Sequence, residues 1–207
     1  MSGRLAALGI VIALLSAAPA RADSSFEIGF LKLGMPLAQL RTEAWPVGTR
    51  LLCGGDQDLP PLDAESRRTI TLGPQAAGAG IVPCALFGPD TDGTWRQRPI
   101  MLGGHPAGFW AMAIDDGNGG PPMLVEAQIR QAKEFFPDTI AYLTERAGPP
   151  QEANRYGARW RNSLAELSVG HSSTDAIITF LIDNHLNTVA KDRLKKQSKA
   201  PPLDLGK

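Results

Sequence analysis

Ala176-Ile177-Ile178-Thr179-Phe180-Leu181-Ile182-Asp183 is the stretch on which the fold turns. Five of its eight residues are β-branched or aromatic, which favours extended backbone. Apolar side chains occupy both the odd and the even positions, so the pattern predicts a strand buried on both faces, in the middle of a sheet.

The neighbouring segments supply the rest of such a sheet. Arg155 to Arg161 and Leu164 to Gly170 read as a hairpin turning at Asn162-Ser163, with Ala165, Leu167 and Val169 facing one way. Upstream, Pro137 to Ala147 reads as a helix. Pro137 opens it, Asp138 lies in the first turn and Arg146 in the last, and Gly148 precedes Pro149-Pro150. Ile140, Leu143 and Ala147 form its apolar stripe. Met123 to Arg130 alternates as a strand, with Val125, Ala127 and Ile129 inward. Gly108 to Ile114 is nearly all apolar and reads as a central strand, paired in a hairpin with Pro99 to Leu102.

Nearer the N-terminus, Phe26 to Leu33 predicts a short strand and Leu37 to Ala44 a helix that begins after Pro36 and closes at Trp45-Pro46. Thr49 to Cys53 predicts another strand. Residues 54–93 are broken by Gly54-Gly55, Pro60-Pro61, Ala76 to Gly80 and Gly88-Pro89, leaving room for short strands at Arg68–Leu72 and Ile81–Phe87. Leu186, Val189, Ala190 and Leu194 fall at helical spacing, so a last short helix is expected. The fold class expected from these elements is α+β, mainly antiparallel sheet with short helices. The recurrence of a Pro-initiated helix followed by strands suggests two tandem halves, 23–115 and 123–190.

The two ends of the chain read differently. Arg4 and then the apolar run Leu5 to Ala18, followed by Ala20-Arg21-Ala22, match a secretory signal peptide over residues 1–22, cleaved between Ala22 and Asp23. Fourteen apolar residues rise only about 21 Å as a helix, short of a hydrocarbon core of roughly 30 Å. No other stretch reaches the length of a spanning helix, so the mature chain is expected to lack a transmembrane segment and to be periplasmic or secreted. Residues 191–207 carry six Lys/Arg against two Asp and are expected to be a basic, partly disordered tail. The body, 23–190, holds 13 basic and 19 acidic residues. That mildly acidic balance argues against a nucleic-acid partner.

Two cysteines, Cys53 and Cys84, bracket the Gly/Pro-rich segment. In an oxidising compartment an even count favours one disulfide, which would close a loop with little core of its own.

No motif in the chain assembles a convincing catalytic or metal site. Asp90-Thr91-Asp92-Gly93-Thr94 matches a phosphotransferase string, but Gly88-Pro89 precedes it where that chemistry needs a buried parallel strand, so a polar turn is expected. Asp115 and Glu126 have the end-to-end spacing of a calcium loop with Gly120 at its sixth position, yet the third and fifth positions are Gly117 and Gly119, without side-chain oxygens. His105, His171 and His185 show no metal-ligand spacing. No catalytic, cofactor-binding or metal-ligating residue is therefore assigned, and no cofactor is expected. Of the four tryptophans, Trp45, Trp110 and Trp160 lie within or beside predicted elements and read as core. Trp95 is expected on a loop, with Arg96 and Arg98 close after it, a composition enriched at protein interfaces, which makes these three the candidate interface.

Leu33-Gly34-Met35-Pro36-Leu37-Ala38-Gln39-Leu40 resembles the opening "L-G-M" helix motif of small exported α+β modules, as does Leu143…Ala147-Gly148-Pro149-Pro150…Trp160 with the two strands after it. These modules include the SmpA/OmlA outer-membrane lipoprotein family and the β-lactamase-inhibitor-protein-like fold. The resemblance covers some 80 residues in two pieces. It implies a binding or assembly module rather than an enzyme. The lipoprotein family carries a lipidated Cys after its signal, and this chain has none, so no functional residue is carried over. The expected function is a non-enzymatic periplasmic binding or envelope-assembly module whose partner is a protein or a cell-envelope component. The competing readings are a periplasmic hydrolase and an inhibitor of a periplasmic or secreted enzyme.

Overall fold

The strand over Ala176–Asp183 lies at the centre of a ten-stranded sheet in which every pairing between named strands is antiparallel. The computed structural model describes residues 26–172 and 175–199. The expected signal peptide, its cleavage point at Ala22/Asp23 and the end of the basic tail lie outside them.

A short hairpin, β1 (Glu27–Ile28) and β2 (Leu31–Lys32), leads into helix α1 (Leu37–Thr42). Strand β3 (Arg50–Cys53) follows, then two short helices, α2 (Ala64–Thr69) and α3 (Pro74–Gly78). Next come β4 (Val82–Pro89), β5 (Trp95–Gln97), β6 (Ile100–Leu102), β7 (His105–Ile114) and β8 (Met123–Ala132). A 3-10 turn at Lys133–Phe135 opens helix α4 (Phe136–Ala147), and the chain ends with β9 (Glu152–Asn154), β10 (Gly157–Arg161), β11 (Ala165–His171), β12 (Ala176–Asp183) and helix α5 (Asn184–Lys199).

The sheet order is β3-β4-β7-β8-β12-β11-β10-β9, with β5 beside β4 and β6 beside β7. In each half of the sheet a helix precedes four principal strands, β3, β4, β7, β8 after α1 and β9, β10, β11, β12 after α4, and each half fills from its outer edge inward, so that β8 and β12 meet at the centre. One face carries the main core. Phe109, Ala111, Ala127, Ile129, Leu167, Ile177 and Leu181 pack there with Leu40 of α1, Leu143 of α4 and Trp160 of β10. Within it Thr139 of α4 places its hydroxyl 2.9 Å from Gln131 Oε1, while Gln131 Nε2 donates to Leu102 O, so this buried polar pair is satisfied.

Several predicted elements need correction. Arg68–Leu72 is not a strand, because Asp63 caps a helix there, accepting from Ser66 N at 2.7 Å. The expected strand over Phe26–Leu33 is broken by a turn at Gly29, whose φ of 61° requires a left-handed residue. Trp95 belongs to a strand, β5, rather than a loop. Val125 does not join the main core: a bulge between Met112 and Ala113 turns it to the opposite face, against Ile114, Leu186 and Ala190. Helix α5 continues to Lys199, so the basic segment from residue 191 begins inside a helix.

Cys53 and Cys84 are direct register partners on β3 and β4, with Cα atoms 4.0 Å apart, and form the expected disulfide. Both sit in the main core at 0% and 1% exposure.

Candidate binding face

Period-two alternation sends every second residue of the central strands away from the main core. On this second face the register aligns Trp110, Gln128, Phe180, Ser168 and Arg159 across β7, β8, β12, β11 and β10. A parallel row runs Met112, Glu126, Ile182, Glu166, Arg161, and Ile178 lies opposite Arg130. All of these except Arg130 and Arg161, which are exposed, are half-buried.

The face is walled on two sides. Beyond β7, the segment between β3 and β4 folds over Leu52, Ala85 and Phe87, with Ile70, Leu59 and Leu62 supplying its apolar underside. At the other end α5 closes over Ile114 and Val125 through Leu186 and Ala190. Arg193 of α5 grips the carboxylate of Asp115 at 2.7 and 3.0 Å, and Gln197 donates to Gly78 O of α3. Hydrogen bonds from Arg193 and from Gly117 N hold the Asp115 carboxyl down at about 2.

Between these walls and the sheet lies a cavity of about 260 Å³. Thr69 and Leu72 contribute from the covering segment, Pro83, Trp110 and Met112 from β4 and β7, and Glu126, Gln128, Arg130 and Ile178 from β8 and β12. Gln128 Nε2 donates to Glu126 Oε1 at 2.7 Å. The indole of Trp110 lies along its own strand over Gly108, where an added Cβ would sit 3.0 Å from the ring. An added side chain there would press on the indole and shift it by a few tenths of an ångström.

The four tryptophans divide by what their N–H groups do. Trp45 Nε1 donates to Leu40 O and Trp160 Nε1 to Gly148 O, the arrangement expected of buried structural indoles. Neither Trp95 nor Trp110 donates to any described residue. Trp95 packs on the small core of Phe87 and Leu62 with the Arg50 guanidinium 5.8 Å from its ring. Trp110 keeps one side on that small core and the other toward the cavity.

The sequence-nominated trio is therefore divided. Arg96 is held by three carboxylates, Asp63 at 3.6 Å, Asp90 at 3.3 Å and Asp92 at 3.2 Å. Arg98 donates to Pro89 O. These contacts tie both arginines to the β4–β5 turn and to Asp63 at the start of α2, while Trp95 packs half-buried on the edge of the small core. The turn itself is Asp90-Thr91-Asp92-Gly93-Thr94, closed by Gly93 N to Asp90 O and Thr94 N to Asp92 Oδ1. The bond from Thr94 N–H keeps Asp92 below the usual carboxylate range. Outward from the apolar rows, Arg159 and Arg161 each bridge Glu152 and Glu166 at 3.2–3.7 Å, making a charged ladder over β9, β10 and β11.

The histidines lie elsewhere. His105 Nε2 is 2.8 Å from Asp138 Oδ2 and its ring stacks on Phe135, while His171 rests against Phe136. Among the described residues no group of three or more His, Cys, Asp or Glu is placed to hold a metal ion, and no helix is long and apolar enough to cross a membrane.

These features define a sheet-dominated α+β protein with one buried disulfide and a partly walled sheet face of mixed apolar and polar residues. No family model, curated protein or solved structure matches the chain.

Proposed function

We propose that this chain is an exported, non-enzymatic binding or assembly module of the cell envelope that captures a protein partner on the walled sheet face. The observation that carries this reading is a pair of half-buried apolar strips on the second sheet face, Trp110 and Met112 on β7 and Ile178, Phe180 and Ile182 on β12, with Glu126, Gln128 and Arg130 of β8 between them. A water-facing sheet surface ordinarily alternates to polar residues. Here the apolar strips are interleaved with the polar side chains of β8 and bordered on the β11 side by the charged ladder of Glu152, Arg159, Arg161 and Glu166, a mixture of apolar and polar contacts of the kind protein interfaces use. Trp110, whose N–H donates to no described residue and whose ring lies over Gly108, is the natural anchor. The acidic balance of the body favours a partner surface that is basic around its apolar contact. The resemblance to small exported modules, and the repeated helix-then-strands plan, agree with this use.

The hydrolase reading would require a second catalytic group near Glu126, and Glu126 is the one carboxylate among the residues lining the cavity. Immobilised wild-type protein and the Phe180→Ser, Ile178→Lys and Trp110→Ala variants, each checked by circular dichroism, are to be compared for capture from envelope extract. The reading expects a band retained by wild type and by the remote control Tyr156→Ala, and lost from the face variants. Equal capture by all five proteins would overturn it.

A further inference from the structure

We infer that Asn118 is a site of spontaneous deamidation, which adds a carboxylate beside the contact that seats the C-terminal helix. Asn118-Gly119 is the only Asn-Gly pair in the chain, and both residues are exposed in the loop joining β7 to β8. The reaction is intramolecular. The Gly119 backbone nitrogen gives up its proton to water or hydroxide and attacks Cγ of Asn118, the Cγ–Nδ2 bond breaks, and the leaving nitrogen takes a proton back from water to depart as ammonia. Water then opens the resulting succinimide at either carbonyl, giving aspartate or isoaspartate, with no change of oxidation state.

The structure selects this position over the other candidates. Gly119 has no Cβ to obstruct its approach. Its N–H makes no hydrogen bond to any described residue, so the nucleophile is held by nothing. Gly93 and Gly117, which follow Asp92 and Asp116, have their N–H groups committed to Asp90 O and Asp115 Oδ1. The carboxylates before them are ionised, since Asp92 and Asp116 both lie below the usual range, through backbone N–H donors from Thr94 and Asn118 respectively. Asn162 is fixed by its Oδ1, which accepts from both Leu164 N and Ala165 N, and the residue after it carries a side chain. Asn154, Asn184 and Asn187 are likewise followed by residues larger than glycine.

The product alters a specific contact. Asn118 Nδ2 donates to Asp116 Oδ2 at 3.2 Å, and Asn118 N donates to Asp116 Oδ1 at 2.9 Å. Deamidation removes the first donor and sets a second negative charge against Asp116, one residue from the Asp115 carboxylate that holds Arg193. Isoaspartate also lengthens the loop backbone by one methylene.

The test is peptide mapping by mass spectrometry of the full chain before and after incubation at mildly alkaline pH, alongside Asn118→Gln. The inference expects conversion at residue 118 well before any at Asn162, an isoaspartate-containing product, and a shift of the intact protein by one charge toward the acidic side that Asn118→Gln does not show. An intact Asn118 after Asn162 has converted, or an equal acidic shift in Asn118→Gln, would overturn it.

Discussion

Breaking the Cys53–Cys84 bridge isolates one energetic contribution. The bond closes a loop over a sequence separation of 31, and residues 54–83 within it carry α2 and α3, which cover the small core of Leu52, Ala85 and Phe87. Constraining a loop of that length in the unfolded chain stabilises the native state by between about 3 and 4 kcal/mol in the chain-entropy model. The native cost of reduction is small by comparison, because Cys53 and Cys84 remain register partners in the β3–β4 ladder and their thiols stay in apolar surroundings. Cys53 N also keeps its bond to Asp56, which Arg41 clamps at 2.6 and 3.1 Å. With an unfolding entropy typical of a domain this size, the loss should lower the melting temperature by roughly 10 °C. The assay is thermal unfolding by circular dichroism for oxidised protein, reduced protein and Cys53→Ala/Cys84→Ala, with peptide mapping to establish the redox state. An unchanged melting temperature on verified reduction, or complete alkylation of both thiols in the untreated native protein, would refute the reasoning.

Other perturbations have worked signs. Arg193→Ala removes the two-pronged grip on Asp115; since both side chains keep a quarter to a third of their surface in solvent, a shift worth about 2.5 kcal/mol at face value should appear as about 1 kcal/mol. Because folding lowers the Asp115 pKa from 3.8 to about 2, this stabilisation is full above pH 3.8 and fades as pH falls through 2, so wild type and variant should converge in acid denaturation. Thr179, 1% exposed on the core face of β12, has a hydroxyl with no hydrogen-bond partner among the described residues. Thr179→Val should therefore raise stability by about 1 kcal/mol in chemical denaturation, and a loss would show that the hydroxyl is satisfied.

Much of the sheet was legible because its strands carry strong local signals. The Ala176–Asp183 run, the hairpin turning at Asn162-Ser163, and the Pro-to-Gly helix at 137–147 each combine periodicity with a terminating residue. The segment between the cysteines was harder. Its helices are five and six residues long, and its apolar residues, Leu59, Leu62 and Ile70, are too sparse to show a period. The Asp63 cap was the one readable signal there, and it lay within a stretch dominated by Gly and Pro. β9, Glu-Ala-Asn, has no strand propensity and is extended only because β10 pairs with it. The second sheet face was half legible. The pattern of Gly108 to Ile114 announces a central strand but cannot say whether its second face is covered, because that depends on where the 54–80 segment and α5 come to rest. The surroundings of Trp95 and Trp110 were not legible for the same reason: the three aspartates on Arg96 come from two separate parts of the chain.

The most direct test of the proposed face is site-specific photo-crosslinking. A photoreactive residue is placed at Phe180, in the apolar strip of β12, and in a second protein at Tyr156, exposed on the β9–β10 turn, and each is irradiated in intact cells. The account predicts a discrete protein adduct from position 180 and none from position 156. An adduct formed from position 156 while position 180 gives none would contradict it.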